Sequence, residues 1–138
     1  MTATFTPYLG SPVNTYLILI GCADGSLISY DQKNQRFLDN GAKKWSISGE
    51  IGSISCKNNT VVLGSSTGTI VRYAINNGKI YPEDSTSTQT YNCNGGIVSL
   101  SLDELNQEGV IGTNAGILYY VNLVEKILIK IVQKVSPL

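Results

Sequence analysis

Histidine is absent from all 138 residues. Every histidine-dependent nucleophile system and every imidazole metal site is thereby excluded from this segment. Charge is scarce as well: 14% of residues are charged, against a usual share of about 25%. Ten Lys and Arg balance ten Asp and Glu, so the formal net charge is zero. Such a chain has no global field to hold nucleic acid or an anionic membrane, although a local patch could still bind either. The three cysteines, Cys22, Cys56 and Cys93, stand 34 and 37 residues apart. With no Cys-x-x-Cys pair, neither a zinc site nor a thioredoxin-like motif is supported. The start, Met1 to Gly10, has no basic flank followed by an apolar core, as a signal peptide would. An odd cysteine count then predicts a reducing, intracellular setting with small, buried thiols. The longest apolar run, Tyr16 to Ala23, falls far short of the about 20 residues that span a bilayer. A soluble protein is expected.

What is present favours strands. The chain has 15 Ile, 10 Val, 11 Thr and 8 Tyr against 5 Ala, and 14 Gly to make turns. It also repeats itself. Ile18-Leu19-Ile20-Gly21-Cys22-Ala23-Asp24-Gly25-Ser26-Leu27-Ile28 parallels Val61-Val62-Leu63-Gly64-Ser65-Ser66-Thr67-Gly68-Thr69-Ile70-Val71. Both parallel Gly109-Val110-Ile111-Gly112-Thr113-Asn114-Ala115-Gly116-Ile117-Leu118-Tyr119. The first glycines, Gly21, Gly64 and Gly112, give periods of 43 and 48 residues. A period of about 40–45 residues matches a four-stranded propeller blade.

Each phrase reads as a hairpin. One apolar strand arrives, turns through two glycines (Gly21 and Gly25, Gly64 and Gly68, Gly112 and Gly116) that tolerate positive φ, and a second strand returns. An innermost strand precedes each hairpin, at Ala3 to Thr6, Ile51 to Cys56 and Ile97 to Leu102. An outer strand follows, near Lys43 to Ile47, Thr88 to Asn92 and Ile127 to Val132, with Phe37-Leu38 and Ile80-Tyr81 competing for the first two. Asp103 to Glu108 is expected to be a loop with one helical turn. The expected fold is all-β: about three four-stranded blades of an incomplete propeller, at residues 1–47, 48–92 and 93–138. A β-sandwich is the alternative, since seven to twelve short strands also fit one.

These blades resemble WD repeats. Asp24-Gly25-Ser26-Leu27-Ile28-Ser29-Tyr30-Asp31 is similar to the family's Asp-Gly-Thr-Ile-x-x-Trp-Asp ending, with Tyr30 in the place of Trp. Thr4-Phe5-Thr6-Pro7 resembles its innermost-strand phrase, and Ser48-Gly49-Glu50 stands where the family has Gly-His, with Glu50 for His. The family's His-Ser/Thr-Trp hydrogen-bond chain therefore cannot form. Thr67 and Ala115 also replace the Asp before the second glycine, so packing rather than polar networks is expected to hold the blades. Gly95-Gly96-Ile97-Val98-Ser99 with Glu108 to Asn122 resembles, over about 30 residues, a blade of the WD repeat-containing protein 90 family of large centriolar and ciliary proteins. That resemblance implies a non-catalytic protein of the microtubule wall, in axoneme, centriole or basal body. Its implied partners are tubulin or microtubule-associated proteins, with no cofactor.

Chemistry weighs little against this. Gly64-Ser65-Ser66-Thr67-Gly68-Thr69 lacks the Lys-Ser/Thr of a phosphate loop, and no helix follows it. Glu83-Asp84 and Asp103-Glu104 lie in loops without partners at calcium spacing. Trp45 and the tyrosines have no basic stripe between them to stack nucleotides, so interblade packing is their expected role. An enzyme propeller, such as a quinoprotein or lactonase, would need acids or metal ligands around its channel; the inner strands offer Ser53, Ser55, Ser99 and Ser101 instead. No catalytic, cofactor or metal residue is assigned. A soluble WD adaptor that binds a peptide, in a ubiquitin-ligase or trafficking complex, is the runner-up.

Two expectations concern surfaces. Three blades cannot close a ring, because propellers have typically four to eight. Further blades are thus expected from more sequence, another chain or a host surface. Lys126, Lys130 and Lys134, four residues apart, share one side of a strand or helix. Alternating Ile127, Ile129 and Ile131 favour a strand with the lysines on its solvent side. The row is read either as a contact to an acidic partner or as edge protection against aggregation.

Overall fold

A computed structural model describes residues 2–7, 16–32, 34–38, 45–57, 59–76, 79–82 and 91–132. Three antiparallel sheets follow one another along the chain. The first holds β1 (Thr2–Pro7), β2 (Tyr16–Gly21), β3 (Ser26–Asp31), β4 (Arg36–Phe37) and β5 (Trp45–Ser46). The second holds β6 (Ile51–Lys57), β7 (Thr60–Ser65), β8 (Thr69–Asn76), β9 (Lys79–Pro82) and β10 (Tyr91–Asn92). The third holds β11 (Ile97–Leu102), β12 (Glu108–Thr113), β13 (Leu118–Asn122) and β14 (Ile127–Val132). In each, the first three strands pair in sequence order, and β6 lies against both β1 and β11.

The competition for the outer position has a structural answer. β4 and β5 both pair with β3, at opposite ends: Tyr30↔Phe37 and Asp31↔Arg36, then Ser26↔Ser46 and Leu27↔Trp45. β9 and β10 divide β8 in the same way, the former pairing with Tyr73 to Asn76 and the latter with Thr69 and Ile70. Among the described residues, only the third sheet has one long outer strand, β14, along the whole of β13. The segment Asp103 to Glu108 is a hydrogen-bonded turn rather than a helical one, closed by Asp103 N–H to Glu108 O at 2.9 Å.

The core lies between sheets. Leu17, Leu19 and Leu27 meet Ile51, Val61, Leu63, Val71 and Tyr73 across the first junction. Val62, Ile70 and Cys93 meet Ile111, Tyr119 and Val121 across the second. Successive strand residues point to opposite faces, so Val61 and Leu63 serve one junction while Val62 serves the other. Every residue of β7 is buried, which is why its apolar run does not alternate. Each such aliphatic side chain contributes about 1.5–3 kcal/mol by leaving water. A bulge skips Gly52 between Ile51 and Ser53, and another skips Val98 between Ile97 and Ser99. The extra residue re-aims the start of each strand.

The thiols differ from expectation. Cys93 is buried, but Cys22 and Cys56 are half-buried. Burial pushes the Cys93 thiol up to about 11.

Candidate interaction surface

The three hairpins share one turn. Gly25 N–H donates to Cys22 O, Gly68 N–H to Ser65 O and Gly116 N–H to Thr113 O, each at 3.1 Å. The second glycines have φ of 87°, 84° and 76°, the left-handed conformation that closes such a turn. Two of them also take in the chain that comes back. Ile47 N–H donates to Gly25 O at 2.9 Å and Cys93 N–H to Gly68 O at 2.8 Å.

The first glycines are not turn residues, which corrects the sequence reading. Gly21, Gly64 and Gly112 lie within strands and are not among the positive-φ residues. Gly21 and Gly64 are needed for close approach. A Cβ on Gly21 would sit 2.5 Å from Ile51 Cγ2, and one on Gly64 would sit 2.5 Å from Ile97 Cγ2. Each of these glycines is a socket for the isoleucine that opens the next sheet. At Gly112 the nearest atoms are Ser99 Oγ and Leu118 Cδ2, both of its own sheet.

Polar contacts carry more of the junction than the sequence led one to expect. Asn106, fully buried with φ of 54°, accepts from Ser55 Oγ at 2.7 Å. Its amide donates to Ser55 O at 2.9 Å and Thr60 O at 3.2 Å. Arg72 Nε donates to Asn106 O at 3.0 Å, and Lys57 Nζ to Leu102 O at 2.8 Å. Burial pulls the Arg72 guanidinium below its ordinary value, and Asp103 pulls it back. Asp103 itself accepts from Gln107 N–H at 2.8 Å, which with other backbone donors and Lys57 holds its carboxyl below the ordinary value against some desolvation. In the second sheet Ser65, Thr67 and Thr69 form a hydroxyl chain at 2.9 and 3.0 Å, and Thr67 Oγ1 reaches Ser48 O at 2.7 Å. In the third sheet Ala115 and Ile117 replace those two threonines. Thr113 Oγ1 is there buried without a hydrogen-bond partner among the described residues.

Sequence reasoning missed Asn106, Arg72 and Lys57. A lone Asn in a polar turn signals its tolerance of positive φ, but nothing local marks the sheet it bonds. The serines of the inner strands are also used differently. Ser55 faces the next sheet through Asn106, while Ser99 and Ser101, exposed, pair with Gly112 and Val110.

The lysine row is divided. Lys126 sits in the turn before β14 with φ of 65°, and only Lys130 is within the strand. Both are exposed; Lys134 lies outside the described residues, as does the Trp45 side chain. Ile129 and Ile131 are more than half exposed, so solvent is not confined to the lysine side of this strand. Ile129 pairs with Tyr120, and Tyr120 with Val110, so this row lies on the outer face of the third sheet. Among the described residues, no three His, Cys, Asp or Glu gather as metal ligands, and no helix is long and apolar enough to cross a membrane.

No family model matches the chain. Among curated proteins it is similar to WD repeat-containing protein 90 of Xenopus tropicalis, 29% identical over 128 residues, covering 86% of this chain and 7% of that protein. The chain thus spans a small part of the relative's length. A chain in the crystal structure of the mitotic checkpoint complex superposes with a TM-score of 0.59 at 15% identity, covering 86% of this chain and 38% of that one. The computationally designed Ika8 protein gives 0.58 at 20% identity, covering 93% and 36%. The designed Ika4 protein gives 0.57 at 17%, covering 82% and 62%. The three sheets are WD-like propeller blades. At such identities the solved structures speak for the fold alone, and the likeness to the curated relative agrees with it.

Proposed function

We propose that this chain is a non-catalytic scaffold module whose blades hold proteins together in a microtubule-associated assembly of the cilium or centriole. The observation that supports it is the similarity to WD repeat-containing protein 90 across 86% of the chain, on a framework of WD-like blades. Residues 1–47, 48–92 and 93–138 are its three repeat units in this reading. Its partners are proteins: tubulin or microtubule-associated proteins on its rim, and further blades on its flanks. Lys126 and Lys130, at the outer edge of the third blade, followed in sequence by Lys134, supply cations toward an acidic partner. Each exposed pair contributes only about 0–1 kcal/mol and weakens with salt.

Fractionation of ciliated cells that carry a tagged chain tests the reading. The chain is expected to stay with axonemes or basal bodies after detergent extraction. Release into the detergent supernatant would overturn the microtubule placement and favour a soluble adaptor. Changing the three lysines to Glu should lower the salt that extracts the chain; an unmoved threshold would reduce the row to edge protection.

A further inference from the structure

The repeats allow one flank to be compared with another at matched positions. Leu19, Val62 and Val110 each stand two residues before the first glycine of their hairpin. Leu19 and Val62 are fully buried against the following blade, whereas Val110 is 39% exposed. Leu27, Ile70 and Leu118 each pair with that glycine; the first two are buried and Leu118 is not. Beyond them, Ile129 and Ile131 are 54% and 52% exposed. The third blade therefore presents an uncovered copy of the surface that the first two blades bury.

The first blade presents the other half. Ile18, Ile20, Ile28 and Tyr30 match Val61, Leu63, Val71 and Tyr73 in register. The latter four are buried against the preceding blade, while the former are half-buried. Phe37, 47% exposed, extends this patch by packing edge-on against Tyr30, with ring centroids 5.1 Å apart.

We infer that the flank of the third blade (Val110, Leu118, Tyr120, Ile129, Ile131) binds the flank of the first blade (Ile18, Ile20, Ile28, Tyr30, Phe37) of a second copy of this chain, head to tail. One polypeptide carries both complementary halves, and the same pairing of faces is made twice inside it. A net charge of zero adds no long-range repulsion between copies. Two different faces make a heterologous contact, which closes into a ring or runs on. The described sheets of two such copies number six, inside the range of about four to eight for closed propellers. The inference rests on the blade fold and not on the ciliary reading, so failure of either leaves the other standing.

Sedimentation velocity on the 138-residue chain, with Ile129→Glu and Phe37→Glu variants, tests it. Both positions are about half exposed, so each charge blocks one flank at little expense to the fold; circular dichroism checks this. Ile131→Glu replaces Ile129→Glu if that variant unfolds, and Tyr30→Gln replaces Phe37→Glu. The wild-type chain is expected to sediment as a dimer or larger, and each variant alone as a monomer. An equal mixture of the two variants restores one intact interface and should give a one-to-one dimer that grows no further. A wild-type monomer at tens of micromolar would overturn the proposal. Association of a single variant as in wild type, or a mixture that stays monomeric, would do so as well.

Discussion

Gly64 and Ile97 meet across the second junction as socket and plug: a Cβ on the glycine would lie 2.5 Å from Ile97 Cγ2 and 2.9 Å from its Cβ. Ile97 is 3% exposed and held by the bulge that skips Val98, so it has little room to retreat. Gly64→Ala should therefore destabilise the chain by about 1–3 kcal/mol, the usual cost of overpacking. Gly112→Ala is the internal control. Its Cβ would meet Ser99 Oγ at 2.7 Å, an exposed hydroxyl that can rotate away. Its effect should stay within about 0.5 kcal/mol. Urea unfolding of the two variants side by side checks this, and equal losses would refute the socket.

The turn glycines answer to a different constraint. Gly68 has φ of 84°, and a Cβ there would sit 2.2 Å from Cys93 O. Gly68→Val must accept both the strained conformation, costing about 1–3 kcal/mol, and a collision with backbone that cannot rotate away. The expected loss exceeds that range. Asn tolerates positive φ far better than Val, yet Gly68→Asn relieves only the strain, because its Cβ meets the same carbonyl. The two variants should thus differ by less than either differs from wild type. Recovery of most stability by Asn would show that the carbonyl contact is unimportant.

Asn106 ties two blades with one side chain. Replacing it by Ala leaves Ser55 Oγ, Ser55 O and Thr60 O without their present partner, at a position that is itself fully buried. A loss of about 1–3 kcal/mol is expected for such buried groups. Asn106→Asp keeps the acceptor toward Ser55 Oγ but turns the donating amide into a carboxylate facing two carbonyls, so it should be at least as damaging. Chemical denaturation of both variants gives the ranking. An aspartate variant more stable than the alanine variant would mean that the amide donors contribute nothing.

The repeat was legible because its signals are local. Glycine spacing and apolar runs marked the three hairpins, and the WD resemblance pointed to the fold that the sheets and the structural likenesses show. What escaped was non-local. Gly21 and Gly25 look alike in the sequence, but one receives Ile51 from the next blade while the other closes a turn by its own φ. The alternation of Ile127, Ile129 and Ile131 correctly indicated a strand, yet it carried no information on whether a neighbour covers that face. Asn106 could be read as a turn residue, whereas its bonding to Ser55, 51 residues away, depends on how two sheets stack. The outer strands were ambiguous for a related reason, because two short segments share β3, and two more share β8.

Asp103 makes stability depend on pH in a direction that can be worked out. Backbone donors, with Gln107 first, hold its folded pKa below the ordinary value. A carboxyl with a depressed folded pKa stabilises the native state above its unfolded pKa of about 3.9, and that contribution disappears as pH falls through the folded value. Asp103→Asn retains an acceptor for the N–H groups of Gln107 and Glu108 but removes the charge. The melting temperature of wild type should therefore exceed that of the variant at about pH 6, and the gap should shrink as pH falls below about 3.9. The group is exposed, so the gap should also narrow in high salt to the extent that Lys57 contributes. Thermal melts of both proteins across this range decide the matter, and a gap that persists unchanged in acid would show that the carboxylate charge plays no part.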